Sequence, residues 1–164
     1  MIGGEYVEAT DNFLVAPFEL DGHKWYSCEQ YFQWAKFATS TDAYTIAHAQ
    51  SIIECKSAGS AWQMGQSRIA TLRSDWELVK ANVMYRAVKA KFDQHPDFAA
   101  RLAATEGPIR AAPSTADWQH VNSVILERVR DECRPPEKRV SNARYEALRT
   151  LTEPMPSTLP STLR

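Results

Sequence analysis

The spacing of apolar positions changes several times along the chain, and each change marks an element. From Asp11 to Leu20 apolar and polar residues alternate loosely, and the run ends at Asp21-Gly22, a strong two-residue turn signal. With His23 to Tyr26 behind it, the pattern predicts a small hairpin, strands near 14–20 and 23–26, and Pro17 confines the first strand to an edge. At Ser27 the period changes from two to 3.6. Ser27 and Gln30 stand at capping-box spacing, so a helix begins near Cys28. On that helix Glu29, Gln33 and Lys36 recur at i, i+4 and i+7 and share one narrow arc flanked by Phe32, while Tyr31, Trp34, Ala35 and Ala38 make the other side aromatic and small.

Further helices follow. Ser40-Thr41-Asp42 offers N-caps for one reaching about Gln50, with Tyr44, Ile46 and Ala47 as its apolar residues. Ser57 to Gly65 reads as a short helix stopped by glycine. The clearest helix is capped at Ser74 or Asp75 and carries Trp76, Val79, Val83, Ala87 and Ala90 as a stripe down to Phe92 and Gln94, with Lys80 inside the stripe. His95-Pro96 ends it, and Pro96 suits the first turn of a helix through Leu102 to about Thr105. A loop over 106–113 precedes a last core helix from about Asp117 to Cys133, with Val121, Val124, Ile125 and Val129 inward, stopped at Pro135-Pro136. One more helix is expected over 141–151, and the final ten residues, rich in Pro, Ser and Thr, read as disordered. The fold class is therefore mainly α, one compact helical domain over 5–134 with a hairpin near its start, followed by an extension over 135–164.

At 164 residues and 44% hydrophobic, the chain can bury one real core. A net charge of -1 argues against holding nucleic acid by bulk phosphate attraction, though not against a local patch. Cys28, Cys55 and Cys133 are odd in number and never at CxxC spacing, which suggests neither a disulfide framework nor a zinc site and fits a reducing compartment. His23, His48, His95 and His120 are scattered, so no metal is expected. No run approaches the length of a membrane helix, and the expected location is cytoplasmic with the nucleus as the alternative.

The Glu29 arc has two readings. It is either a solvated charged stripe with the lysine stem lying along apolar surface, or a polar face turned towards a ligand in a pocket walled by Trp25, Tyr26, Tyr31, Phe32, Trp34 and Phe37. Lys80 likewise either snorkels to solvent or meets a phosphate or carboxylate.

Taken together, Asn12-Phe13, Pro17-Phe18, Asp21-Gly22, Trp25, Glu29-Gln-Tyr-Phe-Gln33 with Lys36-Phe37, Leu72-Arg73-Ser-Asp75-Trp76-Glu77 with Lys80, Val83-Met84 and Lys91-Phe92 resemble the NADAR family, also called the YbiA-like fold. The resemblance covers roughly residues 11 to 130. It implies a mostly helical domain with a small hairpin and an enzyme that cleaves N-glycosidic bonds without a cofactor. Two activities are associated with such domains: removal of ADP-ribose from guanine bases, and hydrolysis of phosphoribosylated riboflavin-pathway intermediates. The glutamate of the family's Glu-His-Tyr-Phe-Gln motif falls on Glu29, with Gln30 where histidine is usual; the following lysine falls on Lys36 and the tryptophan of Asp-Trp-Glu on Trp76. The segment Asp117-Trp118-Gln-His-Val-Asn122 lacks the glycines many members carry.

The implied chemistry breaks a ribose C1′–N bond through an oxocarbenium-like transition state, which needs negative charge near C1′ and help for the departing base. Glu29 suits the first task. Lys36 either attacks C1′ as a desolvated amine and forms a Schiff base, or pairs with Glu29 or a phosphate. Asp117 is a helix cap, or a third catalytic residue that hydrogen-bonds the ribose hydroxyls or delivers a proton to the base. Asn12, Phe13, Trp25 and Gln33 are candidate pocket residues, Trp76 and Trp118 candidates for stacking, and Arg73 and Lys80 candidates for phosphates. The expected partner is ADP-ribose or an ADP-ribosylated guanine nucleotide or nucleic acid, bound by a monomer. The loss of the glycines motivates another class, a reader that binds ADP-ribose without turnover.

Overall fold

The computed structural model describes residue 2, residues 6–115 and residues 117–140. The helix expected over 141–151 and the disorder expected in the last ten residues lie outside the described residues. Strands β1 (Phe18–Leu20) and β2 (His23–Trp25) form an antiparallel hairpin in the register Phe18↔Trp25 and Leu20↔His23, shorter than the pattern predicted. Asp21 and Gly22 form its turn with φ of 52° and 77°, the left-handed pair that a two-residue hairpin demands. Asp21 tolerates that conformation while its carboxylate accepts from Tyr31 Oη and Arg86.

Six α-helices follow among the described residues: α1 (Cys28–Ala35), α2 (Ala43–Glu54), α3 (Ala58–Met64), α4 (Trp76–Gln94), α5 (Pro96–Ala103) and α6 (Trp118–Cys133). Every residue of α1 is buried, because α2, α3 and α4 pack around it, and α6 closes the bundle against α4 and α5. Half of the expected capping box forms: Ser27 Oγ accepts from Gln30 N, but Gln30 Oε1 accepts from Tyr26 N, one residue before the cap, instead of from Ser27 N. Two helices turn differently from their apolar pattern. In α2 the inward residues are Thr45, Ala49 and Ile52, while Tyr44 and Ile46 are exposed, since Thr45 Oγ1 accepts from Thr71 N and fixes that face against the following loop. At the start of α4 the Asp75 carboxylate caps nothing; Arg73 holds both its oxygens.

Candidate active site

The local sequence sets α1, and α1 sets the site. Glu29, Phe32, Gln33 and Lys36 all line a cavity of about 450 Å³. Its other walls come from distant parts of the chain: Asp11, Asn12 and Phe13 before the hairpin, Trp62 and Gln66 from α3 and its exit, the loop 111–115, and Trp118 and Asn122 of α6. Two contacts hold these walls in place. Asn12 O accepts from Glu29 N at 3.0 Å, which ties the loop to the first turn of α1, and Asn12 Nδ2 donates to Asn122 Oδ1 at 3.3 Å, which ties it to α6.

Lys91 supplies a third tie that the sequence reading did not find. It is 0% exposed, and its ammonium donates to Asp11 O at 2.9 Å. A buried amine fixed to a backbone carbonyl holds that strand of loop at the cavity wall. In sequence Lys91 appears only as half of the Lys91-Phe92 pair of the family pattern, with no role attached, because its partner Asp11 lies 80 residues away.

The charged groups are poorly solvated. Burial raises the Glu29 pKa, opposed by the hydrogen bond from Gln33 Nε2 and by the charge of Lys36. Burial also lowers the Lys36 pKa, opposed by the charge of Glu29. Lys36 Nζ donates to Gly65 O at 3.0 Å and lies 5.8 Å and 5.9 Å from the ring centres of Phe32 and Trp76. An acid that keeps its proton to higher pH thus faces the same cavity as an amine that sheds its proton at lower pH. Gly65 makes this possible sterically, since a Cβ there would lie 1.7 Å from Gln33 Oε1. That Oε1 is itself buried with no hydrogen-bond partner among the described residues.

Of the residues expected at the site, Asn12, Phe13, Glu29, Gln33, Lys36 and Trp118 line the cavity. Trp76 stands behind it, its ring 4.9 Å from that of Phe32. Trp25 does not reach it: fully buried among Tyr31, Trp34 and His23, it donates Nε1–H to Leu20 O and belongs to the hairpin's core. Neither do the expected phosphate ligands. Arg73 is fixed to Asp75, and Lys80 pairs with Glu77 on the wet side of α4. Asp117 is exposed at the N-cap of α6, makes no capping bond and is absent from the cavity wall. Position 30, where the family motif usually carries histidine, also points away: Gln30 Nε2 donates to the carbonyls of Ile52, Ile53 and Cys55 and so caps the C-terminus of α2. Gln30 therefore serves packing and does not line the cavity. Among the described residues no three His, Cys, Asp or Glu side chains gather as metal donors would, and no helix is long and apolar enough to cross a membrane.

The NADAR domain pattern matches residues 6–119, 114 of the chain's 164 residues. The chain belongs to the NADAR family. It is 38% identical over 94 residues to the N-glycosidase YbiA of Escherichia coli, covering 57% of this chain and 55% of that one, so it spans little more than half the length of the YbiA relatives it matches. It is also similar to an N-glycosidase of Nostoc punctiforme, 30% identical over 136 residues, or 75% of this chain and 83% of the relative. A chloroplastic riboflavin biosynthesis protein, PYRR of Zea mays, shares 33% identity over 104 residues but only 17% of its own length. In three dimensions this NADAR domain is similar to the NMR structure of Escherichia coli YbiA, with a TM-score of 0.65 at 29% identity over 78% of this chain and 82% of that one.

Proposed function

We propose that this NADAR domain is an N-glycosidase that breaks a ribose C1′–N bond, with ADP-ribosylated guanine as its substrate. The single observation that carries the reading is the convergence of a desolvated carboxyl, Glu29, and a desolvated amine, Lys36, on one cavity. Such a pair has complementary work in this reaction. The neutral Lys36 amine attacks C1′ while Glu29 delivers its proton to the departing nitrogen. As that bond breaks, the Glu29 carboxylate left behind faces the positive charge on the sugar; it then carries a proton from the Lys36 nitrogen to the ring oxygen, so that the ribose opens to an imine, and takes a proton from the water that adds to the imine, whose collapse frees the Lys36 amine. Gln33 orients the carboxyl through its bond to Glu29.

The names of the relatives support the reaction class, since YbiA and the Nostoc punctiforme protein are both called N-glycosidases. The cavity's volume of about 450 Å³, and its lining by Tyr6 and Ser114 as well as Lys36, support a substrate larger than one phosphoribosyl group. Because Arg73 and Lys80 are paired elsewhere, the substrate's phosphates meet neutral donors such as Ser114 and Thr115, which line the cavity. A second reading, hydrolysis of a phosphoribosylated riboflavin-pathway intermediate, is favoured by the similarity to the maize riboflavin protein. Purified protein assayed against ADP-ribosylated guanosine oligonucleotides beside the riboflavin intermediates separates the two. Release from the guanosine lesion is expected, with Glu29→Gln lowering kcat by about 10²- to 10⁴-fold, the range of one general acid. Wild-type protein that binds ADP-ribose and releases no base from any of these substrates contradicts the reading and makes the domain a reader.

A further inference from the structure

Four Phe, Tyr or Trp side chains are exposed among the described residues: Tyr6 at 67%, Phe13 at 43%, Tyr44 at 51% and Trp62 at 47%. Three of the four, Tyr6, Phe13 and Trp62, line the same cavity that holds Glu29 and Lys36. The deeper aromatic walls are already partnered, Phe32 against both Trp76 and Trp118 at 4.9 Å between ring centres. The outer three make no ring contact with another described residue. Large aromatic faces left open to water are costly unless something covers them, and here they gather at one mouth although they come from three separate positions in the sequence.

Local structure keeps two of them in place. Phe13 N donates to Asp11 Oδ1 at 2.8 Å, a turn that sets the loop's course, and Lys91 pins Asp11 O from behind. The charge of Asp11 raises the Tyr6 pKa, so the phenol stands neutral beside that carboxylate. On the other segment, Gln66 Nε2 donates to Trp62 O and stiffens the end of α3. The mouth has little charge to offer a ligand: Lys36 is the one Lys or Arg among the cavity-lining residues, against Asp11 and Glu29. What the outer mouth offers is flat apolar surface edged by neutral polar groups, the surroundings in which a heteroaromatic ring stacks with little regard to its sequence identity.

We infer that Tyr6, Phe13 and Trp62 form a stacking subsite for a second heteroaromatic ring, separate from the base that departs at Glu29 and Lys36. Two sources supply that ring in the proposed substrate: the adenine of the ADP-ribosyl group, or an unpaired base next to the modified guanine. The inference deepens the glycosidase reading, but its first test does not depend on turnover. By calorimetry, AMP binds the wild type more tightly than ribose 5-phosphate, and Trp62→Ala and Phe13→Ala each weaken AMP by about 5- to 140-fold, the range of one base stacked on an aromatic ring, while leaving ribose 5-phosphate unchanged. Trp62→Phe, which keeps a ring at the mouth, retains most of the AMP affinity and controls for misfolding. Equal affinity for the two probes, or equal losses for both in the variants, overturns the inference whether or not the protein is a glycosidase. Kinetics then identify the source. If adenine occupies the mouth, Trp62→Ala raises KM for ADP-ribosyl-guanosine as the free nucleoside and within a single strand alike. If a neighbouring base does, KM rises only for the single strand. A rise of the same size for a phosphoribosylated pyrimidine, which carries no second ring, contradicts both.

Discussion

Gln30 and Gln33 are the same residue type, three positions apart on α1, and both are buried to within 2% of full enclosure. On the face towards α2, Gln30 uses its whole amide: Oε1 accepts from Tyr26 N, and Nε2 serves carbonyls at the end of α2. On the face towards the cavity, Gln33 makes one bond, to Glu29, and leaves Oε1 unpartnered among the described residues. Glu29 and Lys36 share this incompleteness. Each is desolvated, and neither is neutralised by direct contact with the other: Glu29 accepts from Gln33, and Lys36 donates to a backbone carbonyl. One face of the helix is built for stability and the other stores unsatisfied polarity, which is the condition of a site waiting for a ligand.

The comparison breaks most visibly in paired variants. Gln30→Leu strands the Tyr26 amide and the carbonyls of Ile52 and Ile53, and urea denaturation should show a loss of about 2 to 4 kcal/mol with kcat of the folded protein kept. Gln33→Leu should do the reverse, lowering kcat by about 10- to 150-fold, as expected for a lost hydrogen bond to a charged group, with the urea midpoint nearly unchanged. Similar effects from both would erase the distinction between the faces.

The sequence made one of these faces legible. Ser27 and Gln30 marked the helix start, and the i, i+4, i+7 spacing of Glu29, Gln33 and Lys36 set one arc, so any helix there had to carry all three together. What covers that arc was not legible. Tyr6, Trp62 and the loop 111–115 reach the cavity, and Lys91 holds Asp11 behind its wall, through contacts between distant segments that no local period records. Local charge also misled at Arg73 and Lys80: Asp75 and Glu77, two and three residues away, take up cations that composition alone offered to phosphates. Trp25 was drawn inward by Trp34 and Tyr31, which share its side of the hairpin and helix.

Gly65 sharpens the comparison further. A Cβ in Gly65→Ala meets the Gln33 amide and forces it off Glu29, an overpacking that costs typically about 1 to 3 kcal/mol. Because the Gln33 bond lowers the Glu29 pKa, its loss should raise that pKa further. If protonated Glu29 and neutral Lys36 act together, kcat/KM against pH is bell-shaped, its two limbs set by the raised Glu29 pKa and the lowered Lys36 pKa and its optimum between them. Gly65→Ala should move only the Glu29 limb, towards higher pH. A profile with no alkaline limb would remove Glu29 as the acid.

The smallest expected effect is on stability. A carboxyl whose folded pKa lies above its unfolded value binds the extra proton in the folded state, so folding is penalised as pH rises from the unfolded pKa through the folded one. Glu29→Gln removes that penalty. The variant should therefore match or exceed wild-type stability at pH 7, with its advantage fading below pH 4, as thermal melts at the two pH values would show.

The covalent role of Lys36 is the centre of the account, and reductive trapping tests it most directly. Wild-type protein turning over its ribosylated substrate in borohydride, then digested and weighed by mass spectrometry, should carry a reduced ribosyl adduct on Lys36 that Lys36→Ala lacks. Undiminished turnover with Lys36 unmodified, or an adduct that forms on another residue in the Lys36→Ala protein, would contradict it.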